Sequence, residues 1–153
     1  MRTFEQWMAE YGESHQNKTN QMIHKVCVPL ITWSVLALLW VMPVPALFAE
    51  VPFLNWAVVF SIAALLFYAT LSWKMFWGML IQSFLMLGIC YQIEKVGGLW
   101  QIALGVFGLA WIGQFIGHKI EGKKPSFFKD LLFLLIGPLW VLRFLYQKLG
   151  IVA

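Results

Sequence analysis

The chain has 153 residues, of which 61% are hydrophobic and only 12% charged, whereas a soluble domain carries about 45–50% apolar and about 25% charged residues. A chain this short cannot hide that excess in one core, so lipid must solvate the remainder. The formal charge of +4 comes largely from lysines in short stretches between apolar runs, which fits orientation in a membrane; no nucleic-acid motif is present.

The first 25 residues carry Arg2, Glu5, Glu10, Glu13, Lys18 and Lys25 and have no apolar core of a signal peptide, so they are expected to remain in the mature chain. Phe4, Trp7, Met8 and Tyr11 recur at helical spacing, with the acidic residues largely off that stripe. The pattern predicts an amphipathic helix lying on the membrane surface. It should break near 12–17, where Gly, Ser, Asn and Lys cluster, and Thr19 or Asn20 is expected to cap the next helix.

That helix carries Asn20 and His24 on one face and enters a first span at 26–42, closed by Pro43 and Pro45. Further spans are expected at 53–71, 75–93 and 99–116, the last continuing through Glu121. Each approaches the ~20 residues that cross ~30 Å of hydrocarbon, where the backbone must be helical. The segment 131–149 is apolar but holds Gly137-Pro138 and Arg143. A central Arg facing lipid costs on the order of 3 kcal/mol, so a kinked or interfacial helix is favoured over a fifth crossing. The expected architecture is all-α: one membrane domain over 1–153, divided into a segment with a histidine motif (1–25), four spans (26–116), a basic loop with a second histidine motif (117–130) and a C-terminal helix (131–149). Four crossings put Arg2, Lys18, Lys25, Lys74, Lys119, Lys123, Lys124 and Lys129 on one side, which the positive-inside rule makes cytoplasmic.

The chain has only three histidines, His15, His24 and His118, and all flank spans on that same side. Gln114, His118 and Glu121 share a helix stripe, as do Asn20 and His24. A His-x-x-Glu step can bring an imidazole and a carboxylate to one metal. His15 lies nine residues from His24, on the opposite side of an unbroken helix, so it can join them only if the chain breaks and folds back. Gly113 and Gly117 form G-x-x-x-G and predict close helix packing. Cys27 and Cys90 form no metal or disulfide motif. Two or three histidines, one carboxylate and open positions suit a single non-haem Fe(II). Zinc-dependent hydrolysis of lipid fits the same donors, and a non-enzymatic membrane scaffold or transporter would use the histidines only as interface anchors.

The pattern Tyr11-x3-His15-x4-Asn20-x3-His24-x4-Pro29, followed by Gln114-x2-Gly117-His118-x2-Glu121-x3-Pro125 and Gly137-Pro138, resembles the Mpo1-like family of small membrane proteins. Ser126 stands where a small apolar residue is expected. The resemblance implies an Fe(II)-dependent dioxygenase that shortens 2-hydroxy fatty acids by one carbon in α-oxidation. It implies iron-binding roles for His15, His24 and His118, with Asn20, Gln114 and Glu121 close by. On that footing Glu121 is a candidate metal ligand as well as a catalytic group, and Lys18, Lys25 and Lys119 would attract the substrate carboxylate. Tyr11 would hydrogen-bond substrate or O2. The expected site lies where bilayer meets cytosol, in the inner membrane of a bacterium or the endoplasmic reticulum of a eukaryote.

Overall fold

The computed structural model describes residues 2–151; residues 1, 152 and 153 of the expected domain lie outside it. The described residues form helices α1 (Phe4–Gly12), α2 (Lys18–Trp40), α3 (Ala46–Ala49), α4 (Trp56–Leu71), α5 (Trp73–Val96), α6 (Leu99–Glu121) and α7 (Phe133–Lys148), with one 3-10 turn at Ser126–Phe128 and no strand. The α-helical membrane bundle read from the sequence is what the chain forms. α2, α5 and α6 are long and apolar enough to cross a membrane. α4 is apolar but has 16 residues, about 24 Å, and so is shorter than the expected second span. Its start is set by Asn55, whose side chain caps the Val58 N–H. The preceding 51–54 run as a turn in which Phe53 adopts φ 65. The outward faces of α5 and α6 are apolar, with Ile81, Phe84, Leu109 and Ile112 more than half exposed, as lipid solvation requires.

α1 is held by a capping box: Thr3 accepts from the Gln6 N–H and the Gln6 side chain accepts from the Thr3 N–H. Its apolar stripe is where the periodicity puts it, but its partner is protein. Phe4, Trp7, Met8 and Tyr11 are 4–8% exposed and pack against α7, with Trp7 edge-on to Phe133 at 5.1 Å. An amphipathic stripe looks the same whether lipid or another helix covers it, and here α7 does.

The break after α1 occurs where expected. The cap of α2 is Asn17, accepting from the Thr19 and Asn20 N–H groups, in place of Thr19 or Asn20. Those two residues lie inside the first turn, where Asn20 is free for another task. α2 and α6 form the tightest pair. A Cβ at Gly113 would meet Cys27 Sγ at 2.6 Å, and one at Gly117 would meet Asn20 Oδ1 at 2.4 Å, so the G-x-x-x-G face is an α2–α6 contact.

α7 does not run the length of the bundle. Leu135 near its start accepts a hydrogen bond from the Tyr68 hydroxyl at 2.9 Å. Tyr146 near its end donates to the Lys74 carbonyl at 3.0 Å. Tyr68 and Lys74 flank the α4–α5 turn, so both ends of α7 touch one end of the bundle and the helix lies across it. Arg143 faces α1, pairing with Glu5 at 3.1 Å and sitting 5.5 Å from the Phe4 ring.

Candidate metal centre

Each imidazole is delivered by a different local device. His24 sits on the inner face of α2 one turn after Asn20, whose carbonyl accepts from its Nδ1 at 3.0 Å. His118 sits on the inner face of α6, four residues before the left-handed Gly122 that ends the helix. His15 lies in the α1–α2 loop. There its Nδ1 donates to the Tyr11 carbonyl at 2.6 Å and its ring stacks on the Tyr11 phenol, with centroids 4.1 Å apart and planes 9° from parallel.

The three rings meet. Centroid separations are 4.3 Å for His15–His24, 5.2 Å for His15–His118 and 4.8 Å for His24–His118. One ligand nitrogen from each lies within 4.8 Å of the others. His15 and His24 are 1% exposed and His118 6%. The Nδ1–H donations leave the Nε2 lone pairs of His15 and His24 free, the arrangement that orients metal-binding histidines. His24 Nε2 faces His118 Nε2 at 3.2 Å, while His15 Nε2 is buried without a hydrogen-bond partner among the described residues. Burial pushes the His15 pKa down to about 4, against the opposing pull of the Tyr11 carbonyl, so this ring is neutral at physiological pH. Three converging imidazoles, one of them neutral with an unsatisfied buried lone pair, fit a divalent transition-metal ion.

The loop that carries His15 is pinned from α6. Glu121 Oε1 accepts from the Gln16 N–H at 2.8 Å, and Oε2 accepts from the Asn17 N–H at 2.9 Å and the Asn20 amide at 3.0 Å. Glu121, expected as a ligand and catalytic group, is therefore not among the residues clustered at the imidazoles. Its two oxygens are occupied by the α1–α2 loop. Asn20, fully buried, joins both structures. Its carbonyl orients His24, and its amide bridges the Ser14 carbonyl at 3.2 Å to Glu121. Gln114 and Tyr11 line a cavity of about 50 Å³ beside the three rings, enough for a water-sized molecule.

The three lysines expected to receive the substrate do not line that cavity. Lys18 and Lys119 point to solvent, and Lys25 lies over the Phe144 ring at 3.9 Å. Residues that sequence reasoning missed include Ser14 and Ser126, whose hydroxyls meet at 2.6 Å. That contact explains a polar residue at 126: it ties the segment after α6 to the His15 loop. Trp140 of α7, 5.2 Å from the His15 ring, was also missed, because nothing in its spacing relates it to a residue so far away in the chain.

The matches to known proteins cover nearly the whole chain. The family described as "2-hydroxy-palmitic acid dioxygenase Mpo1-like" matches residues 1–149. The protein named 2-hydroxy-palmitic acid dioxygenase MPO1 of Saccharomyces cerevisiae is 29% identical over 142 residues, covering 92% of this chain and 78% of that one. No solved structure matches the chain.

Proposed function

The chain belongs to the Mpo1-like family, and we propose that it is a non-haem Fe(II) dioxygenase that shortens 2-hydroxy fatty acids by one carbon, with its site at the cytoplasmic face of a membrane. The observation that carries the proposal is the convergence of His15, His24 and His118 on one point, in a chain similar to a protein named for that activity. His15, His24 and His118 would hold the iron through Nε2 or, for His118, either ring nitrogen. Bound there, Fe(II) would supply the redox and O2 chemistry that protein side chains lack.

The chain's own groups do the rest. The carbonyls of Tyr11 and Asn20 hold the Nδ1 protons of His15 and His24 and so fix their tautomers. Glu121 and Lys123, which donates to the Glu13 carbonyl at 2.7 Å, keep the His15 loop against α6. Val28, Phe133, Trp111 and Phe127 close the apolar walls and keep bulk water from the rings. The Tyr11 phenol, on the cavity wall and stacked on His15, would hydrogen-bond substrate or O2. The basic residues gathered at this end of the helices support a cytoplasmic orientation.

Three imidazoles without a carboxylate are also a catalytic zinc set, which favours a zinc-dependent lipid hydrolase as the second reading. Oxygen decides between them. Anaerobically purified protein is expected to contain about one iron per chain, to consume O2 with 2-hydroxypalmitate and to release pentadecanoate. Turnover of a lipid substrate without O2 in zinc-reconstituted protein would overturn the proposal.

A further inference from the structure

A second cavity, of about 360 Å³, lies deeper in the bundle, within the range of roughly 300–1,000 Å³ typical of small-molecule sites. It adjoins the metal centre. Ile31, Thr32, Trp111 and Leu134 form walls of both cavities. From that shared wall it runs away from the histidines. Along α2 its lining continues to Leu36, twelve residues beyond His24, or about 18 Å. Along α6 it reaches Phe107, eleven residues before His118, or about 16 Å. α4 contributes Phe60, Ser61 and Ala64 and α5 contributes Met79 and Ser83. α4 and α5 meet near the histidine end, so Ser61 and Ser83 belong to the far end of the cavity and Ala64 to its middle.

Helix packing shows why the space exists and where it opens. α6 packs along α2 but scarcely meets α4 or α7. The cavity fills that wedge, with Phe107 and Trp111 on one side and α4 and α7 on the other. Phe60 and Leu134 on its lining are 38% and 47% exposed, facing the apolar outer surface. A hydrocarbon chain in an apolar space this large would make dispersion contacts with its walls.

We infer that this cavity is the seat of the substrate's acyl tail, entered sideways from the bilayer between α6 and the α4–α7 pair, with its far end at Leu36, Ser83 and Phe107 limiting chain length. The inference rests on the 2-hydroxy fatty acid reading above. The wall shared with the histidine cavity argues for a fatty acid over a membrane phospholipid. The about 50 Å³ beside the rings accommodates a carboxylate and its neighbouring hydroxyl, but not a glycerophosphate headgroup.

The test uses the full chain in lipid nanodiscs. A 2-hydroxypalmitate analogue with a diazirine at its methyl end is expected to label the peptides carrying Leu36, Ser83 and Phe107, and unlabelled 2-hydroxypalmitate is expected to compete. Labelling confined to the outward faces of α5 and α6, or labelling that is not competed, overturns the seat. Ser83→Trp and Ala64→Phe fill the space. Each methylene kept out costs about fourfold in affinity. The ratio of kcat/KM for 2-hydroxypalmitate over 2-hydroxydecanoate should therefore fall about tenfold or more. An unchanged ratio in both variants overturns the seat even if wild-type turnover stands. Competed labelling at the far end in a protein that oxidises neither acid would sink the dioxygenase assignment and leave the seat.

Discussion

Gly117 of α6 faces Asn20 of α2 so closely that a methyl group on it would stand 2.4 Å from the Asn20 Oδ1. In an open helix Gly→Ala gains up to about 1 kcal/mol. Here the obstacle is a short, buried amide that cannot withdraw without leaving the Ser14 carbonyl and Glu121. Gly117→Ala is therefore expected to destabilise by about 1–3 kcal/mol, read as a lower melting temperature in detergent, and to reduce bound metal. Gly105→Ala, with nothing within 4 Å, should be neutral or stabilising.

Ligands and supports separate in metal titrations. His15→Ala, His24→Ala and His118→Ala each remove a nitrogen from the cluster and should each abolish stoichiometric iron binding and O2 consumption. Glu121→Gln keeps the shape but weakens three hydrogen bonds, two to the loop and one to Asn20 of α2. It should retain iron with an affinity lowered about 10–100-fold, as for residues that orient ligands. Faster hydrogen exchange at Gln16 and Asn17 should accompany that loss. If Glu121→Gln strips the metal as completely as His118→Ala, the carboxylate is itself a ligand.

The metal-free protein should be sensitive to mild acid. His15 is held at about 4 in the folded chain, against about 6.5 when unfolded. Between those values the unfolded chain takes up a proton that the folded chain refuses. Stability should fall as pH drops from about 6.5 towards about 4 and then level off. Denaturant unfolding in EDTA across that range measures it. His15→Gln, which has no proton to gain, should reduce the slope; an unaltered slope would remove His15 from the account.

Attachment of α1 is apolar. The Arg143–Glu5 pair is exposed on the Glu5 side, so Glu5→Gln should cost less than about 1 kcal/mol. Trp7→Ala empties a 4%-exposed site and should cost about 3–5 kcal/mol. Because α1 leads directly into the His15 loop, Trp7→Ala should also lower metal content and speed proteolysis between α1 and α2.

The bundle and the meeting of the histidines were legible because lipid imposes helices and the parity of crossings puts all three histidines on one side. The break that frees His15 was legible from Gly12, Ser14 and Asn17. The task of Glu121 was not. Three residues along a helix leave a side chain about 60° away from its neighbour, enough to aim Glu121 at the loop while His118 points inward. The burial of α1 under α7 was equally hidden, since hydrophobic periodicity records an apolar face and not what covers it. The wedge between α6 and α4 depends on helix spacing, which no single segment encodes.

The donors of the cluster are 103 residues apart at their extremes, from His15 to His118, and the wall behind His15 comes from Trp140, later still. A nascent chain that has already threaded α2 and α5 into the bilayer therefore has two imidazoles and no enclosed centre. An ion bound as proposed would find its full donor set only when translation is nearly finished.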